Sequence, residues 1–79
     1  MVTSFHSKDY EKLTALLVDV RRKSRLTQQA VADRLSRPQS YVAKIEVGER
    51  RLDIVELVHL VRAMDASPED VLAELLVSI

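Results

Sequence analysis

The chain has 79 residues, of which 47% are apolar, and its twelve Lys and Arg residues balance twelve Asp and Glu residues. This length allows one domain with a small core. The absence of cysteine excludes a disulfide framework and thiolate chemistry, and no apolar run reaches the ~18–20 residues of a membrane span. We therefore expect a cytoplasmic domain over residues 8–79, preceded by a flexible tail at residues 1–7 without the pattern of a leader peptide.

The zero net charge hides an uneven distribution along the chain. Residues 1–51 carry eleven basic and six acidic side chains, whereas residues 52–79 carry one basic and six acidic side chains. The two parts therefore have formal charges of +5 and −5. Such a separation favours a basic surface for a polyanion and an acidic half held away from it. Chance clustering is the alternative.

Hydrophobic patterning predicts an all-α fold that begins with two short helices. Ser7 can cap a first helix that ends near Ser24. Its apolar positions recur at three- and four-residue spacing and form one face: Leu13, Leu16, Leu17 and Val20. Thr27 can cap a second helix over residues 28–35, because its hydroxyl can accept from a free amide of the first turn.

The third predicted helix covers residues 38–46 and follows a tight turn at Ser36 and Arg37. Pro38 suits the first turn of a helix, because it lacks an amide hydrogen and has a fixed φ. Gly48, the only glycine, stands just after the helix, where a left-handed residue often closes the last turn. The sequence therefore predicts two short helices joined by a turn.

Two further helices complete a compact five-helix arrangement. Asp53 and Glu56 have the spacing of a capping box. The helix at residues 54–64 is apolar at eight of eleven positions, which predicts a central place in the fold. Ser67 and Pro68 begin a last helix with more apolar residues than one buried face needs. We predict a homodimer surface, with closure of the monomer core as the alternative, from Val71, Leu72, Leu75, Leu76, Val77 and Ile79.

The outward side of the third helix has side chains suited to reading DNA bases. At about 100° per residue, this side is separated from the apolar Val42 and Ile45. It carries Gln39, Ser40, Ala43 and Lys44. Glutamine can make two hydrogen bonds to adenine, lysine can donate to guanine, and alanine can contact the thymine methyl. A solvated helix face is the alternative, but the short helix–turn–helix spacing indicates a unit that enters the major groove.

Residues 13–76 resemble the Cro/cI-type helix-turn-helix domain of phage repressors and the XRE family of bacterial regulators. The matching marks are residues 26–28 (LTQ), Ala32, Val42, Ile45 and residues 45–50 (IEVGER). The resemblance implies a phage-repressor-like DNA-binding domain. It also implies glycine at three turns, and the chain has Arg25, Ser36 and Asp65 there. These turns are therefore either mildly strained by a positive φ or built differently.

The resemblance also implies roles for individual residues. Base reading is expected of Gln39, Ser40 and Lys44. Phosphate binding is expected of Gln28, Arg37, Tyr41, Arg50 and Arg51, with packing against the second helix as the alternative for Tyr41. Arg21 and Glu46 match a pair that is often bridged in this family, with two separately solvated side chains as the alternative.

We therefore predict a sequence-specific transcriptional regulator, a repressor or autoregulator that is bacterial or phage-encoded and associated with the nucleoid. Two-fold symmetry in a homodimer would place two third helices roughly 34 Å apart on an inverted repeat in double-stranded DNA. The alternative is a protein-interaction module, or an antitoxin-like partner of another protein, with the same fold. Charge reversal at Arg50 and Arg51 would distinguish them, since a protein-binding role alone could survive it.

Catalytic and cofactor-binding patterns are missing from the sequence. His6 and His59 are too far apart for metal-ligand spacing, and the chain has no glycine-rich phosphate loop. The neighbouring Glu69 and Asp70 fit the acidic first turn of a helix. We therefore expect no enzyme activity, no metal, no cofactor and no membrane partner.

Overall fold

The computed structural model describes residues 7–79 and has five α-helices in that part of the chain. They are α1 (Lys8–Lys23), α2 (Gln28–Arg34), α3 (Gln39–Glu46), α4 (Ile54–Ala63) and α5 (Pro68–Ser78). No strand occurs among the described residues, and the predicted all-α class is confirmed. The predicted tail, with His6, lies outside the described residues except for Ser7, which caps α1.

Side-chain caps fix the beginnings of four of these helices, as their sequences predict. The hydroxyls of Ser7, Thr27 and Ser67 each accept from the amide three residues later, at 3.0 to 3.3 Å. Asp53 and Glu56 form the complete capping box. The start of α3 differs from the prediction by one residue, because Pro38 is extended at ψ 155 and precedes the helix without a side-chain cap bond.

The core lies where α2 and α3 pack together against parts of the other three helices. Its buried apolar side chains are Leu17, Val31, Ala32, Val42, Ile45, Leu60, Val61, Met64 and Val71. Val71 was predicted in the dimer surface, but it is only 4% exposed and packs within its own chain. Val71 lies on the side of α5 that faces the core, and this corrects the prediction for this residue.

The fourth helix is less central than its apolar sequence predicts. Leu60 and Val61 in its second half are buried, whereas Ile54 and Val55 at its start are 65% and 60% exposed. An apolar sequence alone does not reveal which turns of a helix have neighbours to pack against. The beginning of α4 therefore adds an apolar surface that the sequence did not predict. None of the helices in residues 7–79 is both long and apolar enough to span a bilayer.

The ends of α1 to α4 close with the same backbone arrangement. Arg25, Ser36, Gly48 and Asp65 have φ values of 59, 55, 83 and 59°. At the end of α2, the Ser36 amide donates to the Asp33 carbonyl at 3.1 Å and the Arg37 amide donates to the Ala32 carbonyl at 2.9 Å. This pair of bonds is the Schellman motif. Arg25, Ser36 and Asp65 therefore adopt the left-handed conformation, so these turns are strained by a positive φ and are not built differently.

Replacing Ser36 with glycine is expected to raise the free energy of unfolding by about 0.5–1 kcal/mol. Glycine avoids the steric cost of the left-handed region, roughly 1–2 kcal/mol, but loses more backbone entropy on folding. Urea denaturation of the two proteins measures the difference. Ser36→Ala is the control, because it removes the hydroxyl and keeps Cβ, so it should not gain stability. Equal gains in both variants would attribute the effect to the hydroxyl.

Candidate nucleic-acid interface

The three residues predicted to read bases lie together on the outer side of α3. Gln39, Ser40 and Lys44 are exposed, whereas Val42 and Ile45 on the opposite side are buried in the core. The packing of α3 against α2 holds this helix in one orientation. Polar side chains on a helix fixed in this way can meet a complementary surface without reorganisation of the backbone.

Arg21 on α1 and Glu46 at the end of α3 form a two-point ion pair. Arg21 Nε donates to Glu46 Oε2 at 2.6 Å, and Nη2 donates to Oε1 at 3.0 Å. The side chains are 13% and 8% exposed. The hydrogen bond to Glu46 raises the pKa of Arg21 above its usual value. Arg21 Nη1 also donates to the Leu26 carbonyl at 2.9 Å, so the pair connects α1, the loop before α2 and α3.

The side-chain amide of Gln28, predicted to bind phosphate, makes two hydrogen bonds within the protein. Its Nε2 donates to Glu46 Oε1 at 2.8 Å, and its Oε1 accepts from Gln39 Nε2 at 2.6 Å. The amide of Gln28 therefore connects the ion pair to the exposed Gln39. Sequence reasoning missed these bonds, because no spacing along the chain shows that residues 28, 39 and 46 meet in space.

The ring of Tyr41 lies between two guanidinium groups. The Cζ atoms of Arg37 and Arg50 are 5.0 and 4.7 Å from the ring centroid, within the range of a cation–π contact. Tyr41 is half-buried and packs against the core. Its ring thus supports the two arginines in the turn before α3 and in the loop after it.

Arg50 also forms an ion pair that the sequence did not predict. Its Nη2 donates to Glu56 Oε2 at 2.9 Å, and its Nη1 donates to the Arg51 carbonyl at 3.0 Å. The hydrogen bond between Arg50 and Glu56 raises the pKa of Arg50 and lowers the pKa of Glu56. In the sequence, the capping box alone accounts for Glu56, so nothing there indicates a second partner for its carboxylate. Arg50 therefore fastens the loop to α4 in addition to any role at the surface.

Arg51 and Arg34 are also held by contacts within the protein. The Cζ atom of Arg51 is 4.0 Å from the centroid of the Tyr10 ring on α1. Arg34 forms a 2.8 Å ion pair with Asp65 and donates to the Ala63 carbonyl at 2.8 Å, which holds α2 to the end of α4. Both contacts join residues far apart in sequence, and no motif in the sequence predicts them.

The structure thus separates the predicted DNA contacts into two groups. The exposed group stands on α3 and the preceding turn: Arg37, Gln39, Ser40 and Lys44. The other group is half-buried: Gln28, Tyr41, Arg50 and Arg51. Members of both groups contact partners within the protein. Within residues 7–79, no three His, Cys, Asp or Glu side chains are grouped so as to hold a metal ion.

Comparison with known proteins identifies the family of this fold. A family model described as a helix-turn-helix domain matches residues 12–75. A search of curated proteins finds no significant match. Among solved structures, an XRE-family like protein from Pseudomonas syringae is 38% identical, with a TM-score of 0.87, over 92% of this chain and 89% of that chain.

Two regulators of known structure have the same fold at lower identity. The clp gene regulator ClgR from Corynebacterium glutamicum is 26% identical, with a TM-score of 0.80, over 94% of this chain and 96% of that chain. The restriction-modification controller protein C.AhdI from Aeromonas hydrophila is 28% identical, with a TM-score of 0.73, over 82% of this chain and 98% of that chain. The predicted family is confirmed, and the chain belongs to the XRE family of helix-turn-helix DNA-binding regulators.

Proposed function

We propose that the protein is a sequence-specific transcription regulator that inserts α3 into the DNA major groove. The observation that carries this proposal is the polar side of α3, where Gln39, Ser40 and Lys44 are exposed on a helix packed into the core. These residue types offer the donors and acceptors that distinguish base pairs in the major groove. We propose a repressor or autoregulator role, in which the bound protein blocks access to a promoter.

Selection from a random duplex library at near-physiological salt tests the proposal. Sequencing of the retained DNA should show an enriched inverted repeat whose half-sites are about one helical turn apart. An enriched single half-site would support base reading and contradict dimeric binding. Folded protein that enriches no sequence would favour the protein-interaction module, and charge reversal at the exposed Arg37 would then leave its partner binding intact.

We propose that the protein binds its site as a homodimer, with α5 in the interface. Leu72, Leu76 and Ile79 follow a spacing of four and three residues, and they are 45%, 66% and 58% exposed. The half-buried Leu75 and the exposed Val77 flank this apolar stripe. A groove beside Leu72 leads to Ile54 and Val58 on α4. The combined surface suits a partner, because it supplies the apolar centre that a stable interface has.

Leu76→Glu is expected to convert the dimer to a monomer, because a carboxylate would be buried against its symmetry mate. Sedimentation of the free protein measures the change, and affinity for an inverted repeat should fall while the far-UV spectrum remains helical. Ser78→Glu is the matched control, since Ser78 is exposed on α5 and lies on the side of the helix opposite Leu76. A dimer that survives Leu76→Glu would remove the stripe from the interface.

Phosphate contacts are expected of Arg37 and Arg51, and alanine at either position should weaken binding to all duplexes equally. Each lost contact should reduce the slope of log affinity against log salt by about 0.9. Titrations between about 50 and 200 mM salt on preferred and unrelated duplexes measure this slope. Arg50→Ala should also lower the free energy of unfolding, because Glu56 and Tyr41 lose their partner. Loss confined to the preferred duplex would contradict the phosphate role.

A further inference from the structure

We propose that Val47, at the end of α3, contacts the C5-methyl group of a thymine in the major groove. Val47 is 67% exposed. The other large apolar side chains that are exposed among residues 7–79 all belong to α4 and α5: Ile54, Val55, Leu72, Leu76, Val77 and Ile79. Val47 is therefore an exposed apolar side chain outside the two helices proposed for the dimer surface. The inference rests on the function proposed above, in which α3 lies in the major groove.

The backbone places Val47 on the same side of α3 as the residues predicted to read bases. The Val47 amide donates to the Ala43 carbonyl at 3.1 Å, which is the bond pattern of the helix itself. Counted at about 100° per residue from Gln39, Val47 falls at about 80° around the helix axis. Ala43 falls at about 40° and Ser40 at about 100° on the same scale. Val47 therefore lies in the middle of the outward side of α3, one turn beyond Ala43.

The chemistry of a valine side chain restricts what it can recognise in this position. It has no hydrogen-bonding group, so it can contribute nothing to a phosphate or to a base amide or carbonyl. Thymine, however, presents its C5-methyl group in the major groove, where apolar side chains contact it. Covering this methyl with the two methyl groups of Val47 removes apolar surface from water on both sides. Val47 therefore complements thymine and gives no corresponding contact to a base without the methyl group.

The base pair that Val47 meets differs from the one that Gln39 meets. The eight residues from Gln39 to Val47 span about 12 Å along the helix axis, at about 1.5 Å per residue. Successive bases of one DNA strand are about 3.4 Å apart. A thymine preference due to Val47 should therefore appear at its own position in the binding site, separate from the preference due to Gln39.

Replacing each thymine of the preferred duplex in turn with deoxyuridine tests the proposal, because this change removes only the C5-methyl group. At the contacted thymine, the affinity of the unaltered protein should fall about fourfold, the effect of one methyl group returned to water. Val47→Ala should lower affinity for the thymine duplex and bind the two duplexes equally at that position. Val55→Ala is the matched control, because it truncates an exposed valine of α4 in the same way. This variant should retain the fourfold ratio.

The outcomes distinguish the methyl contact from a different role of Val47. If Val47→Ala keeps the same thymine-to-uracil ratio at every position, or if no thymine of the site responds to the change, the proposal is overturned. A monomer in sedimentation of Val47→Ala, with the ratio unchanged, would overturn it too and would place Val47 in the interface between copies. All these results leave the enriched site intact. Failure of the proposed function would instead appear as no enriched sequence at all, and the methyl contact would fail with it.

Discussion

Replacing Arg21 with methionine is expected to lower the free energy of unfolding by about 3 kcal/mol, because it leaves the carboxylate of Glu46 with no cation near the core. The side chain of Glu46 is 8% exposed, so water cannot replace the two guanidinium bonds. For a domain of this size each kcal/mol corresponds to roughly 4–8 °C in Tm. Thermal denaturation should therefore show a decrease of more than about 10 °C.

The control is the double variant in which both partners become methionine. It removes the charges together, so no uncompensated carboxylate remains beside the core, and most of the lost stability should return. A double variant as unstable as Arg21→Met would contradict this explanation. It would indicate instead that the ion pair contributes through the geometry it imposes on α1 and α3.

Lys44→Ala should lower the affinity for the preferred duplex by about 1–3 kcal/mol and relax the preference at one base pair. The ammonium group stands on the exposed side of α3, where it can donate to guanine O6 and N7. Titration against duplexes with single base changes measures both effects. Lys23→Ala is the matched control, because Lys23 is an exposed lysine of α1 paired with Asp19. Equal loss on every duplex would make Lys44 a phosphate contact.

The helix beginnings were predictable because their signals are local. The caps at Ser7, Thr27 and Asp53 depend on residues three positions apart, and such spacing is visible in any sequence. The positive φ of Gly48 was predictable for the same reason. At Arg25 and Ser36 only the family resemblance indicated that a left-handed residue is wanted, since a side chain with Cβ gives no such signal.

Partners brought together by tertiary packing were not predictable in the same way. Arg50 was predicted as a phosphate contact, but its bond to Glu56 depends on how the loop after α3 folds back onto α4. The exposure of Ile54 also depends on which helices fail to cover it. Residue types identified the candidate surface on α3, whereas the internal bonds of Gln28 and Arg50 required the three-dimensional arrangement.

The small share of α5 in the buried core has a consequence for the lifetime of the protein. This helix contributes one buried side chain, Val71, to the core, and Lys12 Nζ on α1 donates to the Ser78 carbonyl at 2.7 Å. Local opening of α5 therefore costs less free energy than opening of the helices around Ile45. If α5 is covered in the dimer, its opening and dissociation form one linked equilibrium. Newly made chains would then be most susceptible to proteolysis while their concentration is too low for dimers to form. Dimer formation would protect both subunits from degradation.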